Sequence, residues 1–185
     1  MAFHHLAVAT SDTRANHLFY TRAMGFQLAK TEANATPEGG WAKHLFYDTG
    51  DGEMIAFWEL HSDTERLEDG QSAGISKGMG LPEWVNHIAF HASDLDDLKA
   101  RRERWLEHGY SALEIDHGWC RSIYTRDPNG NMVEWCTMTR ELGDADATEA
   151  LEIAKSPKPN LAGPGTKPEV YEATVAPLHK RESGW

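Results

Sequence analysis

The sequence predicts an α+β fold built from two similar modules, each with the order βαβββ. Two stretches, residues 4–12 and 86–94, align without a gap, and in both the apolar residues alternate as in a half-buried strand. Each stretch ends in Ser-Asp, which is typical of a helix N-cap. The predicted organisation is module 1 at 1–61, a linker or lid at 62–84, module 2 at 85–140, and a C-terminal region at 141–185.

A helix is predicted after the first strand of each module. Asp12 and Asp94 stand at the predicted N-caps, and apolar residues recur on one side of each following stretch. Gly25 and Gly109 end the two patterns. The first strand and the helix of each module therefore occupy equivalent positions.

Further strands follow each helix. In module 1, the stretches 41–48 and 53–60 flank a turn-rich segment, and in module 2 the stretches 119–126 and 131–138 flank Pro128-Asn129-Gly130. A duplicated unit of this kind suggests a cupped mixed sheet whose two halves close around a shared concavity.

The last hairpin allows its register to be predicted. The run Asp127-Pro128-Asn129-Gly130 favours a tight turn that ends in a left-handed glycine, which pairs Asp127 with Asn131. Tyr124 then lies opposite Glu134 on one face of the sheet. A carboxylate among apolar neighbours on a central strand is costly unless a partner compensates it.

Regions outside the modules have a different composition. Residues 62–84 are polar and glycine-rich, which indicates a linker or a mobile lid. Residues 144–155 can form a short helix, and five of the eight prolines follow it. A proline-rich tail disfavours sheet and helix, so we expect an extended arm that is either disordered or laid across a partner subunit.

Composition excludes several classes of partner. The 185 residues carry a formal net charge of −11, which argues against nucleic acid and anionic membranes. The longest apolar run, 54–58, is far too short to span a bilayer, and the first residues resemble no signal peptide, so we expect a cytoplasmic protein. The two cysteines are expected to be free thiols.

Two histidines occupy the same position in the repeat. Strand alternation places Leu6 and Val8 on one face and His5 on the other, and His87 is the equivalent residue of module 2. Together with Glu134 they form a two-histidine, one-carboxylate set, which suits Fe(II) and leaves coordination positions open.

Residues 3–138 resemble the vicinal oxygen chelate superfamily, the glyoxalase, bleomycin-resistance and extradiol dioxygenase group, whose fold pairs βαβββ modules around a divalent metal. Within it, the run from Ile115 to Glu134 resembles the signature of type I extradiol dioxygenases. The resemblance implies His5, His87 and Glu134 as metal ligands, His117 as an acid/base and Tyr124 as a hydrogen-bond donor to substrate oxygen.

The same resemblance implies a ring-cleaving dioxygenase that uses O₂ and a catechol-like aromatic, with Fe(II), or Mn(II) or another divalent ion, in a homodimer. Alternatives are a non-redox isomerase or lyase, a fosfomycin-type thiol transferase, and a metal-free drug-binding module.

The sequence leaves two structural questions open. One is whether Glu59 rather than Ala56 faces the site, and the other is whether the modules that form the site belong to one chain or to two.

Overall fold

A computed structural model describes residues 3–37, 39–50, 52–62, 72–159, 161 and 167–185. Module 1 consists of β1 (His5–Ala9), α1 (Thr13–Leu18), a π-helical turn (Phe19–Ala23), β2 (Gln27–Ala35), β3 (Trp41–Asp48) and β4 (Met54–His61). A short helix α2 (Ile75–Gly78) precedes module 2, which consists of β5 (His87–His91), α3 (Leu95–Glu107), β6 (Ala112–Asp116), β7 (Cys120–Arg126) and β8 (Met132–Met138). The C-terminal region adds α4 (Asp144–Lys155), β9 (Glu169–Tyr171) and α5 (Leu178–Arg181).

The predicted helix starts are confirmed. The Asp12 side chain accepts a hydrogen bond of 2.8 Å from the Ala15 amide, and the Asp94 side chain accepts one of 2.8 Å from the Asp97 amide. Each carboxylate satisfies an amide that would otherwise lack a partner in the first helical turn. The Ser-Asp pair that ends each first strand therefore turns the chain into its helix.

The strands form two mixed sheets with the same plan. Sheet A has the order β1-β4-β3-β2, and sheet B has the order β5-β8-β7-β6-β9. In each sheet the first strand runs parallel to the last strand of its module, and the other pairs are antiparallel. The prediction of an α+β fold with two βαβββ modules is confirmed, and β1 and β5 each lie at a sheet edge.

The predicted register of the last hairpin is also confirmed. Tyr124 pairs with Glu134, and Ser122 pairs with Cys136. Gly130 has φ 85°, the left-handed conformation that the three-residue turn requires.

The helix-facing sides of both sheets share one hydrophobic core. Phe26, which follows the π-helical turn, packs against Phe90 on β5 and Trp135 on β8, with ring centroids 4.9 and 5.8 Å away. The same core contains Tyr47 and Phe57 from sheet A. Because the helical layer lies between the sheets, the faces that carry His5 and His87 point outward within one chain, rather than closing around a common cavity.

Residues 167–185 pack on the chain's own modules, so the expectation that the tail forms neither sheet nor helix is wrong for this part. β9 pairs with β6, and the Leu178 amide donates to the carbonyl of His108. The prolines lie outside β9 and α5, which lets both short elements form.

The helix predicted at 144–155 is confirmed as α4, which buries none of its residues. No helix among the described residues is long and apolar enough to cross a membrane.

Candidate functional site

One face of sheet B brings a predicted ligand pair together. His87 Nε2 lies 3.2 Å from Glu134 Oε2, because β5 runs beside β8 in parallel. The Glu134 side chain is only 7% exposed, whereas the His87 side chain is 40% exposed. The pair therefore combines a buried carboxylate with an imidazole that a ligand can reach.

The two predicted catalytic side chains lie beside this pair. Tyr124 stands directly opposite Glu134 on the neighbouring strand, and its hydroxyl lies 3.0 Å from His117 Nε2. Burial raises the pKa of Tyr124 to about 12, and the negative charge of Glu134 acts in the same direction. Tyr124 consequently stays protonated at neutral pH and can donate a hydrogen bond.

The cysteines on this face are free, as predicted. Burial raises the pKa of the Cys120 thiol to about 12, so this thiol is protonated at neutral pH. Cys120 is buried, and its neutral thiol packs within the sheet.

The outward face of sheet A carries His5. Its Nδ1 lies 2.8 Å from the Nδ1 of His4, and its ring lies 6.0 Å from the ring of His44. The His44 ring is stacked on Trp58, with centroids 3.8 Å apart and planes 12° apart. Burial lowers the pKa of His44, and His5 contributes to the same shift.

His44 is a further histidine on this outward face, and the predicted site residues do not include it. Strand alternation in β3 places His44 and Phe46 on the same face of sheet A, so the sequence pattern alone indicates that the two side chains are neighbours. This face is the one that carries His5, since Phe46 packs against the His5 ring at 5.4 Å.

The question between Ala56 and Glu59 is settled by the register of sheet A. Ala56 pairs with Ala7 on the outward face, whereas Glu59 points to the opposite face and binds Lys43 at 3.1 Å. Although burial acts in the other direction, hydrogen bonds from His61, Thr13 and Lys43 lower the pKa of Glu59. Glu59 is thus ionised and paired with side chains of module 1, and it lies on the face of sheet A opposite His5.

A single chain therefore carries the predicted site residues on two separate faces. His87, Glu134, Tyr124 and His117 lie together on sheet B, while His5 lies on sheet A. Within the part of the chain that the structure describes, no group of three His, Cys, Asp or Glu side chains is close enough to hold a metal ion. The structure brings together four of the five predicted residues and separates the fifth from them.

The order of the strands and the paired modules agree with a comparison against protein families. Residues 2–135 match the Glyoxalase/Bleomycin resistance protein/Dioxygenase superfamily. The chain belongs to this superfamily. Comparison with curated proteins finds no sequence that matches it.

Two solved structures share this fold. A glyoxylase/bleomycin resistance protein/dioxygenase domain from Frankia sp. EAN1pec matches with a TM-score of 0.55 at 14% identity, over 75% of this chain and 98% of its own. TnmS3, an antibiotic-binding protein from Streptomyces sp. CB03234, matches with a TM-score of 0.51 at 18% identity, over 75% of this chain and 97% of its own. At these identities the likeness supports the superfamily fold and leaves the activity to the site.

Proposed function

We propose that this superfamily member is a metal-dependent, ring-cleaving dioxygenase of a catechol-like aromatic. The observation that supports the proposal is the grouping of His87, Glu134, Tyr124 and His117 on one face of sheet B. The resemblance to the superfamily implies His87 and Glu134 as metal ligands, and it implies His117 and Tyr124 for proton transfer and hydrogen bonding to substrate. The imidazole nitrogen of His87 and the carboxylate oxygen of Glu134 lie side by side, and both are atom types that bind a divalent metal ion.

The residues fit a divalent metal. Glu134 is buried, and its nearest basic partner is an imidazole that is charged only when protonated. A divalent ion at this place would compensate the buried carboxylate. His87, Glu134 and one further histidine would hold Fe(II), or Mn(II) or another divalent ion, as a facial set. When bound, Fe(II) would supply a site that accepts both vicinal oxygens of a catechol and activates O₂.

The chain's own residues supply proton transfer. Tyr124 is protonated and can donate a hydrogen bond to a substrate oxygen that becomes negative. His117 lies within hydrogen-bonding distance of the Tyr124 hydroxyl and can accept a proton from a substrate hydroxyl and later return it. Tyr124 and His117 thus form a connected donor and acceptor pair at the edge of the site.

The third ligand is proposed to come from a second copy of the chain. β1 and β5 are both sheet edges, so the outward face of sheet A in one copy can meet the outward face of sheet B in another. Large apolar side chains are exposed next to both edges, with Phe3 79% exposed before β1 and Trp84 67% exposed before β5. A homodimer that buries these residues would place His5 of one copy against His87 and Glu134 of the other.

Two other functions use parts of the same arrangement. A non-redox isomerase or lyase would need the same metal ligands without O₂. A metal-free module that binds an aromatic drug is favoured by one observation, the separation of His5 from the other two ligands within a single chain. Metal content and O₂ consumption separate these functions from the proposed one.

The test is anaerobic purification with Fe(II), followed by metal analysis and addition of a panel of catechols in air. The proposal predicts one Fe per chain, a yellow ring-opened product, and uptake of one O₂ per product. Bound metal without O₂ uptake across the panel would favour the non-redox enzyme. Absence of bound metal together with tight binding of aromatic compounds would favour the drug-binding module.

A further inference from the structure

The segment that precedes β5, residues 74–86, is packed against module 2, and we call it the strap. Its beginning is anchored on the last hairpin, since the Ile75 amide donates a hydrogen bond of 2.9 Å to Asn131 Oδ1. Its end is anchored on α2, because the Asn86 amide donates one of 2.8 Å to Ser76 Oγ. The strap is therefore part of the folded module, and it leads directly into β5.

The middle of the strap reaches across sheet B to β7. Glu83 forms an ion pair of 2.5 Å with Arg126, which strand alternation places on the same face as Tyr124. Arg126 pairs with Met132 on β8, and Met132 pairs with His87 on β5. The strap thus leaves β5, passes the end of β8 and is tied to the strand beyond it, roughly 10 Å across the sheet. This tie lies at one end of the candidate site.

A backbone carbonyl of the strap contacts the imidazole of His87. His87 Nδ1 lies 3.2 Å from the carbonyl oxygen of Trp84, the residue that follows Glu83. A carbonyl only accepts hydrogen bonds, so Nδ1 carries a proton in this contact. In the neutral ring this leaves the lone pair on Nε2, the nitrogen that lies 3.2 Å from Glu134 Oε2. The strap therefore selects the tautomer in which Nε2 can bind a metal ion beside Glu134.

The Trp84 carbonyl belongs to a turn that is held at two points. The Val85 amide donates a hydrogen bond of 3.0 Å to the carbonyl of Pro82, which closes the turn. The Glu83 side chain extends from the same turn to Arg126. The ion pair is exposed and contributes little to the stability of the whole chain. Its effect is local, because it restricts the turn that carries the acceptor carbonyl.

We infer that Glu83 and Arg126 are positioning residues for the imidazole of His87. Their ion pair holds the strap in the place where the Trp84 carbonyl accepts the Nδ1 proton and Nε2 faces Glu134. A metal-binding histidine commonly donates its second ring N–H to an acceptor of this kind, which fixes the tautomer and the ring orientation. The inference rests on the proposed function for the use of His87 as a ligand, whereas the tautomer is a property of the metal-free chain.

The test is the ¹⁵N NMR shift of His87 Nδ1 in metal-free protein at about pH 9, where an ordinary imidazole is neutral. The signal is assigned by its loss in His87→Gln, and in the wild type it should lie in the range of a protonated ring nitrogen. Glu83→Ala releases the turn, so both tautomers become populated and the averaged shift should move toward that of an unprotonated nitrogen. Glu32→Ala is the matched control, since it removes an exposed partner of Lys30 on sheet A and should leave the shift unchanged.

An exchanged pair tests whether the ion pair itself is responsible. Glu83→Arg combined with Arg126→Glu reverses the two charges and should return the Nδ1 shift to its wild-type value. Titration with Fe(II) under nitrogen should give a Kd about three- to fivefold higher in Glu83→Ala, the range that an exposed ion pair supports, and a wild-type Kd in the exchanged pair.

The outcomes separate this inference from the proposed function. An unprotonated Nδ1 in the wild type, an unchanged shift in Glu83→Ala, or a shift that the exchanged pair does not restore would overturn the inference, whatever metal the protein binds. The expected series of shifts in a protein that binds no Fe(II) would sustain the positioning of His87 and overturn the dioxygenase.

Discussion

Tyr20 of module 1 donates a hydrogen bond of 3.0 Å to Asp127 Oδ2, in the turn that aims Glu134 at the candidate site of module 2. Both side chains are buried, and Asp127 also accepts hydrogen bonds from the backbone amides of Asn129 and Asn131. The contact joins the helical layer of one module to the last hairpin of the other. It adds a buried polar contact to the hydrophobic core that the two modules share.

We expect Tyr20→Phe to lower the free energy of unfolding by about 1–2 kcal/mol, because it leaves a buried carboxylate oxygen with one partner fewer. Urea denaturation measures this change. Tyr171→Phe is the matched control, since the Tyr171 hydroxyl donates to an exposed Glu169 carboxylate and should contribute little. Equal losses in the two variants would contradict the assigned role of Tyr20.

The pH dependence of stability should also report on this turn. Burial raises the pKa of Asp127, although hydrogen bonds from Asn131, Tyr20 and Asn129 oppose the shift. An acid with a higher pKa in the folded chain binds its proton more tightly when folded, so its stabilising contribution falls as pH rises above its ordinary pKa of about 4. The free energy of unfolding of the wild type minus that of Asp127→Asn should therefore decrease as pH is raised from about 3 to 6. A rising difference would contradict the direction of this pKa shift.

The local structure was predictable because its signals are local. The Ser-Asp caps, the alternation of β1 and β5, and the turn at Asp127 to Gly130 determine the elements and the hairpin register without help from distant residues. The same alternation correctly places His5 and His87 on the face away from the helices.

The relative placement of the modules was not predictable, because it depends on tertiary packing. Nothing in the repeat indicates that Phe26 would pack against Phe90 and Trp135, which directs the helical sides of both modules toward one core.

The structure of the C-terminal tail was not predictable either, because its prolines indicate an extended arm while its packing depends on distant residues. Arg14 donates to the carbonyls of His179 and Gly184, a contact between residues far apart in the sequence that holds the tail to α1.

Glu134→Gln should lower the affinity for Fe(II) by more than about 100-fold, since even residues that only support a metal ligand contribute 10–100-fold. Glu59→Gln is the control, because Glu59 pairs with Lys43 and His61 on the other face of sheet A. Titration of the metal-free variants with Fe(II) under nitrogen measures both. A larger loss for Glu59→Gln would mean that the strand register of sheet A has been assigned to the wrong face.

Tyr124→Phe should lower kcat by about 10²-fold and leave Fe(II) affinity within about threefold, because the lost hydroxyl acts on substrate oxygen rather than on the metal. His117→Gln should behave similarly, since His117 contacts the same hydroxyl. Steady-state kinetics and metal titration of both variants provide the measurement. A parallel loss of metal affinity would make Tyr124 a support for the ligands instead of a donor to substrate.

Mixing two inactive variants tests whether the site forms between copies. If His5 of one chain completes the site of another, a mixed dimer of His5→Ala and Glu134→Gln contains one site with both changes and one site with neither. Random exchange of subunits should then restore about a quarter of the wild-type activity, because half of the dimers are mixed and half of their sites are intact. If both modules of one chain formed the site, each site in the mixture would carry a defect and no activity would return. The control mixes His87→Ala with Glu134→Gln, two changes on the same face of sheet B, and should stay inactive in either arrangement.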